Sequence, residues 1–486
     1  MEKLNIHKKL LNNKNLNIMK STFNELQKNN INIVSKKITL VLFGLFTIGL
    51  NAQTIAGANS HSLFICSNGS VQATGENNHG QLGIGANSGV TLSPITVSGL
   101  TNIVAVASKN IHSLYLKSDG TVWACGNNSF GQLGIGNTTS SNVAVQITSL
   151  SGITKIATGN SHSLFLKNDG TVWACGSNNF GKLGIGNQTQ KNTPIQVVGL
   201  SNIIEIAAGV NHSMFLKNDG TVKVCGSNVN GTLGIGNTTF ELLPVPVAIT
   251  NVIAIAGGFQ HSIFVKQDGT VWASGSNDSG KLGDGTIISR STPVQANNLS
   301  GIVKATAGQN HAFFLKNNGT AWSVGRNDFG QLGDGTLINK SSAVQVLNLT
   351  GITSVSAFNQ SLFAKNNGTF FACGKNDGVF GNGIVTDIAI PVLVSIGCLL
   401  LSNQDFSTNQ FNVNPNSSTG IFTIQTENPI SNANITIADL NGRIVHESKT
   451  ENLDNKTLDL NHLQNGIYIL NISNGDYNHS QKIVKQ

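Results

Sequence analysis

The sequence predicts an all-β protein built in two parts, and three observations support this prediction. A motif of about fifty residues recurs seven times between Gln53 and Cys398. Each copy contains short runs of alternating apolar and polar residues around an Asn-Gly or Asp-Gly pair, which is typical of β-hairpins. After Cys398 the motif ends, and a different series of alternating runs begins.

One polar position and two glycine positions define the repeat. The polar position is Gln360 in the seventh copy and a histidine in the other six: His61, His112, His162, His212, His261 and His311. A turn glycine follows eight residues later, at Gly69, Gly120, Gly170, Gly220, Gly269, Gly319 and Gly368. A second glycine follows after six more residues, at Gly75, Gly126, Gly176, Gly226, Gly275, Gly325 and Gly374. Seven matches at two fixed offsets indicate that one supersecondary unit is repeated.

The third copy shows the strand content of each unit. Its strand patterns are His162–Lys167, Thr171–Cys175, Pro194–Val198 and Ile203–Ala207. Four short strands in fifty residues match one propeller blade, and blades bury their faces by stacking in a ring. The sequence therefore predicts a seven-bladed β-propeller over residues 53–398.

The ends of the repeat region predict how the ring closes. The region begins with an isolated fourth-strand pattern, Thr54–Ala56, and ends with a third-strand pattern, Pro391–Val394. We expect these two pieces to complete one blade together.

The consensus HSLxLKxDGTVWAxGxNxxGQLGxG resembles the regulator of chromosome condensation repeat, over roughly Gln53 to Cys398. The resemblance implies a seven-bladed propeller in which the repeated histidine has a structural role. A second tryptophan of the family pattern is replaced here by Cys125, Cys175, Cys225, Cys373, Ser274 or Val324. The seventh copy also lacks the histidine, and its stretch from Gly374 to Gly383 is one residue short. The family includes a nuclear guanine-nucleotide exchange factor and a secreted bacterial inhibitor of β-lactamases, and neither activity transfers here residue by residue.

The tail predicts a second domain. After a polar linker over residues 399–410, alternating runs over 411–486 predict a small Ig-like β-sandwich. Its pieces Phe411–Asn416, Ile437–Arg443, Leu463–Ile469 and Lys482–Gln486 resemble the carboxy-terminal sorting domain of type IX secretion, although Ser417 replaces a usual proline. This resemblance implies recognition by the type IX secretion machinery and a Bacteroidota-type source.

The first 52 residues predict an amino-terminal extension and a signal peptide. Lys36 and Lys37 precede an apolar run, Ile38–Leu50, which is too short to favour a permanent membrane span. We expect cleavage between Ala52 and Gln53, and translation from either Met1 or Met19. With the tail, this signal predicts a secreted or outer-membrane surface protein.

Composition and charge exclude several classes of function. Met1 to Lys37 holds eight lysines and two glutamates, or +6 of the net charge of +7, so the rest is close to neutral. Such a body lacks the basic footprint of a nucleic-acid binder. The histidines recur once per blade rather than in one tetrahedral cluster, and the cysteines form no CxxC pair. We expect no cofactor, no metal, no nucleic-acid partner and a monomer.

The cysteines and serines give no catalytic prediction. Cys125, Cys175, Cys225 and Cys373 are expected to pack as small apolar residues. A disulfide between Cys66 and Cys398, near the ends of the ring, stays open. Gly159–Ser163 approaches a G-x-S-x-G motif but ends in serine and opens no helix, so no catalytic residue is assigned.

The candidate binding residues are those that vary between blades on a constant scaffold. One set precedes the loop glycine of each copy: His79, Phe130, Phe180, Asn230, Ser279 and Phe329. These side chains could contact a partner, or the phenylalanines could pack between blades. The first hypothesis is a non-enzymatic binding module for an extracellular protein or glycan. The alternatives are a secreted hydrolase or lyase with its site on the propeller axis and, disfavoured by the export signals, a regulator resembling the exchange factor.

Overall fold

The computed structural model describes residues 54–396, 411–415, 417–426, 431–439, 443–473 and 478–486. The predicted signal peptide, its cleavage point at Ala52 and Gln53, Cys398 and the linker over 399–410 lie outside these residues. The chain divides into two units between residues 401 and 402.

The described part of the first unit forms seven antiparallel sheets of four strands each. Blades 1 and 2 contain β1 Ile55–Gly57, β2 His61–Ile65, β3 Val71–Glu76, β4 Val90–Thr96, β5 Ile103–Ser108, β6 His112–Lys117, β7 Val122–Gly126 and β8 Ser141–Gln146. Blades 3 and 4 contain β9 Ile153–Thr158, β10 His162–Lys167, β11 Val172–Gly176, β12 Lys191–Gln196, β13 Ile203–Ala208, β14 His212–Lys217, β15 Val222–Gly226 and β16 Glu241–Pro246. Blades 5 to 7 contain β17 Val252–Gly257, β18 His261–Lys266, β19 Val271–Gly275, β20 Arg290–Gln295, β21 Ile302–Ala307, β22 His311–Lys316, β23 Ala321–Gly325, β24 Lys340–Gln345, β25 Ile352–Ala357, β26 Gln360–Lys365, β27 Phe370–Gly374 and β28 Ile388–Leu393.

Each predicted hairpin forms, and its turn chemistry is visible in blade 3. Asp169 accepts hydrogen bonds from the backbone N–H and the hydroxyl of Thr171. Gly170 adopts a φ of 77°, which glycine tolerates without strain. The turn sets the register of β10 on β11, in which His162 lies opposite Gly176.

The apolar cores lie between blades. One core joins Leu164 and Val172 of blade 3 to Ile206 and Phe215 of blade 4, and all four side chains are buried. Equivalent cores join each blade to the next and blade 7 to blade 1. Burying a side chain such as Phe215 contributes about 2 to 3 kcal/mol, so the blades stabilise one another.

The prediction that the two ends share a blade is wrong. β1 pairs with β2 and β28 pairs with β27, so both terminal blades are complete in themselves. In every blade the strand before the repeat's histidine or glutamine is the first strand of that same sheet, because a short connection folds it back. Blades 7 and 1 meet through side chains, including Phe370 against Phe64 with ring centres 5.4 Å apart.

A hydrogen-bonded latch joins neighbouring blades at the histidine position. His162 Nε2 lies 3.1 Å from Ser213 Oγ of blade 4, and that hydroxyl lies 2.6 Å from the carbonyl oxygen of Lys182 in blade 3. A hydroxyl has one hydrogen, which it donates to the carbonyl, so the histidine donates from Nε2. Each latch thus fixes the histidine tautomer and ties a strand to the loop of the preceding blade.

The latch recurs around the ring with two variations. His61, His112, His212 and His311 contact Ser113, Ser163, Ser262 and Ser361 in the same way. At the closure, Gln360 donates to the carbonyl oxygen of His61 and to the hydroxyl of Ser62. At the junction of blades 5 and 6, Ala312 replaces the serine, and Nε2 of His261 has no hydrogen-bond partner.

The second unit contains two sheets around one core. Its strands are β29 Phe411–Asn414, β30 Ser417–Ser418, β31 Ile421–Thr426, β32 Ser431–Asp439, β33 Ile444–Asn452, β34 Lys456–Asp459, β35 Gly466–Ser473 and β36 Asn478–Lys485. The sheet orders are β29-β31-β34 and β30-β36-β35-β32-β33. Phe422 and Ile424 of the first sheet pack with Ile435 and Leu470 of the second. The fold class predicted from the sequence is confirmed.

Restoring the missing latch is expected to stabilise the propeller. In Ala312→Ser, the new hydroxyl would accept from His261 Nε2 and donate to the loop of blade 5, which satisfies a buried donor for about 1 kcal/mol. Urea unfolding of the full chain measures this gain. The matched variant Ser213→Ala should lose about 1 to 3 kcal/mol, because it strands His162 Nε2. A neutral or destabilising Ala312→Ser would contradict the latch.

Candidate functional site

Both the geometry and the electrostatics of the six repeated histidines are those of structural residues. All six side chains are buried, and burial lowers the pKa of His61, His212 and His311 to about 3 and that of His112 to about 4. Desolvation likewise places the pKa values of His162 and His261 well below the usual range. Within the described ranges, no group of three or more His, Cys, Asp or Glu is placed to hold a metal ion.

The cysteines behave as the repeat predicts. Cys125, Cys175, Cys225 and Cys373 are free and buried, and burial raises the pKa of the Cys125 thiol to about 12. Cys66 is disulfide-bonded. The proposed partner, Cys398, lies outside the described residues.

The six predicted binding residues lie on one end of the propeller, in the loops that join the third and fourth strands. We call this end the loop face and the end with the Asn-Gly and Asp-Gly turns the turn face. Phe130 and Phe180 are exposed by 42% and 40%, and His79 and Asn230 are also exposed. Ser279 and Phe329 are half-buried. Phe130 and Phe180 are therefore only partly covered by neighbouring residues.

Phe180 has an unusual backbone conformation. Its φ is 64°, a left-handed value that disfavours a bulky side chain. Its ring packs edge-on against Phe240 of the next blade, with the two ring centres 6.0 Å apart. Asn230, at the same position in blade 4, has a φ of 58°. Asparagine is a common residue in this conformation, whereas phenylalanine is strained there.

A buried asparagine makes each loop rigid. In blade 3, Asn178 Oδ1 accepts the backbone N–H of Leu183 at 2.9 Å, and its Nδ2 donates to the carbonyl oxygens of Asn187 and Thr189. The same acceptor role falls to Asn77, Asn128, Asn228, Asn277, Asn327 and Asn376. The variable side chains are therefore presented on preorganised loops.

The loop face also carries exposed aliphatic residues that the sequence analysis missed. Ile287, Ile288, Leu337 and Ile338, in the loops of blades 5 and 6, are 59–67% exposed. The equivalent residues of blade 3 are Gln188 and Thr189. Comparing aligned copies would have revealed these apolar replacements.

An axial channel of about 270 Å³ runs between the first strands of the blades. Small side chains such as Ala157, Ala207 and Thr306 line it. On the turn face, the exposed Ile253 and Val303 also line the channel, so it opens to solvent there.

Lys109 closes the loop-face end of the channel. Its Nζ donates to the carbonyl oxygens of Ala208, at 2.7 Å, and Gly257, which belong to blades 4 and 5 across the axis. The residue is only 9% exposed, and desolvation lowers its pKa to about 7. This lysine was not among the residues predicted from the sequence.

Aligned copies do contain a signal for Lys109. Blades 3 to 6 place glycine at this position, at Gly159, Gly209, Gly258 and Gly308. A Cβ at Gly209 would lie 1.9 Å from the ring of His212, so glycine is required there. Blades 1 and 7 have Ala58 and Phe358 at the equivalent position, so Lys109 is the one charged residue among the seven.

A second charged group lies nearer the turn face. Glu205 lines the channel and forms an ion pair with Lys155 of blade 3. Lys304 of blade 6 also lines the channel, and desolvation lowers its pKa.

Three family profiles match the chain, and two of them cover the propeller. The RCC1-like domain matches residues 91–410, more than half of the 486 residues, and the Regulator of chromosome condensation (RCC1) repeat matches residues 55–81. The chain therefore belongs to the RCC1-like domain family, which confirms the resemblance seen in the repeat.

The Secretion system C-terminal sorting domain matches residues 412–486. This match indicates export by type IX secretion to the cell surface or extracellular space, and implies interaction with the secretion machinery. Among the described residues, no helix has the length and apolar character to cross a membrane.

Curated relatives match only part of the chain. Human Protein RCC2 is 37% identical over 97 residues, which are 19% of this chain and 18% of RCC2. Human probable E3 ubiquitin-protein ligase HERC6 is 36% identical over 99 residues, which are 20% of this chain and 10% of HERC6. The chain thus spans less than a fifth of the length of either relative.

Solved propellers show the same fold. Prp20p from Saccharomyces cerevisiae has a TM-score of 0.57 and 24% identity, over 63% of this chain and 80% of that chain. Yeast RCC1 (Prp20) bound to Kap60 has a TM-score of 0.62 and 20% identity, over 75% of this chain and 90% of that chain. At these identities the likeness concerns the fold alone.

Stability is expected to fall steeply below pH 6.5. The six histidines stay neutral in the folded protein, whereas in the unfolded chain their pKa is near 6.5. Below pH 6.5 the unfolded chain therefore binds more protons, and each histidine lowers the free energy of unfolding by about 1.4 kcal/mol per pH unit. His162→Gln, which copies Gln360 of blade 7, should be less stable than the parent at pH 7. Urea unfolding should show this difference shrinking by pH 5, whereas a pH-independent difference would contradict a neutral buried histidine.

Proposed function

We propose that this exported propeller is a non-enzymatic binding module that recognises an extracellular protein through its loop face. The observation that carries the proposal is the exposure of Phe130 and Phe180 on rigid loops, at positions that differ from blade to blade. Exposed aromatic side chains on a preorganised surface are typical hot spots of protein interfaces.

The conformation of Phe180 supports a functional role for its ring. A bulky residue at a φ of 64° carries a strain of about 1 kcal/mol or more, and asparagine at the same position in blade 4 avoids most of it. A phenylalanine at a strained, exposed position favours a use beyond folding, such as contact with a partner.

The character of the loop face favours a protein over a glycan. The aromatic pair Phe180 and Phe240 lies in blades 3 and 4, and Ile287 and Leu337 protrude from the next two blades. Aliphatic side chains bury area against apolar protein surfaces, whereas sugar sites combine aromatic rings with dense hydrogen-bonding groups. The related Prp20p is described by its binding to Gsp1p and histones, so this fold accommodates protein partners.

The competing function is a hydrolase or lyase with its site on the axis. The channel's carboxylate, Glu205, is bound to Lys155, and Lys109 donates to two backbone carbonyls. These contacts favour structural or binding roles over proton transfer. A screen of the full chain against esters, peptides and polysaccharides tests this alternative, and sustained turnover would contradict the non-enzymatic proposal.

Removing the exposed aromatic ring should weaken partner binding without loss of the fold. We expect Phe180→Asn to lower affinity at least ten-fold, because a hot-spot side chain contributes more than about 1.4 kcal/mol. Its stability should equal or exceed that of the parent, since Asn230 adopts the same conformation. The measurement is saturable binding of the full chain to surface proteins from the source cells, followed by urea unfolding of each variant.

The matched control lies on the other end of the propeller. Ile204 is an exposed apolar residue near the turn face, and Ile204→Asn should bind the partner as the parent does. Equal loss in both variants would indicate general damage rather than a loop-face site. Normal binding by a double variant, Phe130→Asn with Phe180→Asn, or saturable binding to a glycan instead of a protein, would overturn the proposal.

A further inference from the structure

The ammonium group of Lys109 is a buried charge without a countercharge. Within the described ranges no carboxylate contacts it, and its acceptors are the neutral carbonyl oxygens of Ala208 and Gly257. A buried ammonium is costly unless an anion pairs with it.

One of the three N–H donors of the Lys109 ammonium group has no acceptor among its hydrogen bonds to the described residues. An ammonium group has three N–H donors, and Lys109 directs two to carbonyl oxygens of blades 4 and 5. The residue also lines the axial channel, which therefore has a cationic group with a spare donor at its closed end.

The channel has the dimensions and lining of a small-molecule site. Its volume of about 270 Å³ is near the lower end of ligand pockets. Ala107, Ala157 and Ala207 offer short apolar walls, and Thr306 adds a hydroxyl group. Ile253 and Val303 mark the open, turn-face end.

The position of Lys109 in the repeat indicates that its side chain does more than fill space. Blades 3 to 6 have glycine at this position, where at Gly209 and Gly258 a Cβ would lie about 2 Å from the neighbouring histidine ring. The seven equivalent positions are otherwise glycine, Ala58 or Phe358, so Lys109 alone is charged, and such a local departure is typical of functional sites.

We propose that the axial channel binds a small organic carboxylate, whose carboxylate group pairs with the Lys109 ammonium at the closed end and whose apolar part lies along the alanine-lined wall. One charge and one spare donor match a carboxylate. A phosphate dianion would require several more donors, and the channel's other charges, Glu205 and Lys304, lie nearer the open end.

Binding should depend on pH through the protonation of Lys109. Burial lowers its pKa to about 7, so the cationic form predominates at pH 6 and the neutral form at pH 8. The groups coupled to it are His162, His212 and His261, which burial keeps neutral over this range. Along the channel, Glu205 forms an ion pair with Lys155, and burial lowers the pKa of Lys304. Affinity should therefore fall about ten-fold from pH 6 to pH 8.

The experiment is a thermal-unfolding titration of the full chain with acetate, butyrate and benzoate, against sodium chloride of equal ionic strength. We expect a saturable rise in Tm at pH 6 with at least one carboxylate, and a much weaker response at pH 8. Lys109→Met should abolish the response. Lys223→Met, which removes a lysine bonded to the Gly199 carbonyl oxygen outside the channel, should keep it.

A second measurement needs no variant. The bound carboxylate should protect Lys109 from acetylation by acetic anhydride, read by peptide mass spectrometry, while labelling of Lys117 on the turn face stays unchanged. The proposal is overturned if no carboxylate raises Tm or protects Lys109 at up to about 10 mM, a concentration that detects even millimolar affinity. A response to inorganic phosphate alone, or an equal response in Lys109→Met, would also overturn it.

Discussion

The fold depends on contacts between blades rather than within them. No blade can bury both its faces alone, so each shares an apolar core with its neighbours, such as the one that joins Leu164 to Phe215. The histidine latch aligns these cores, because it ties a central strand of one blade to the loop of the preceding one. Since blades 7 and 1 share no sheet, their junction relies on the same kinds of contact as the other junctions, an apolar core and hydrogen bonds between blades.

The residues that hold the ring together are different from those that we assign to function. Positions that hold the ring together, such as the buried histidines and the loop asparagines, recur in nearly every copy. The residues that differ between copies and that we assign to function lie on the loop face or at the axis. Phe180 is exposed at the first, and Lys109 is buried at the second. Phe180 has a strained backbone conformation for its side chain, and Lys109 is the one charged residue among its seven equivalents.

Much of the fold could be predicted from the sequence, because hairpins leave strong local signals. The Asp-Gly turn at Gly170 and the alternation in His162–Lys167 fix the central strands of a blade without tertiary information. The phase of the repeat could not be predicted in this way, since a fifty-residue period is the same wherever a blade begins. Consequently Thr54–Ala56 was placed in the wrong blade.

Part of the candidate site could be predicted. The variable loop positions could be identified from the sequence because they stand beside a constant glycine, and their role in binding stays a prediction. The left-handed φ of Phe180 and the depth of Lys109 follow from packing across the ring, which one repeat cannot show. The aliphatic residues Ile287 and Leu337 required alignment of the copies by structural position.

Export of the propeller is the premise on which an extracellular partner depends. The most direct test is fractionation of the source cells with mass spectrometry of both ends of the protein in each fraction. We expect a product at the surface or in the medium that begins near Gln53 and ends shortly after Cys398. Intact protein in the cytoplasm, still carrying residues 411–486, would contradict it.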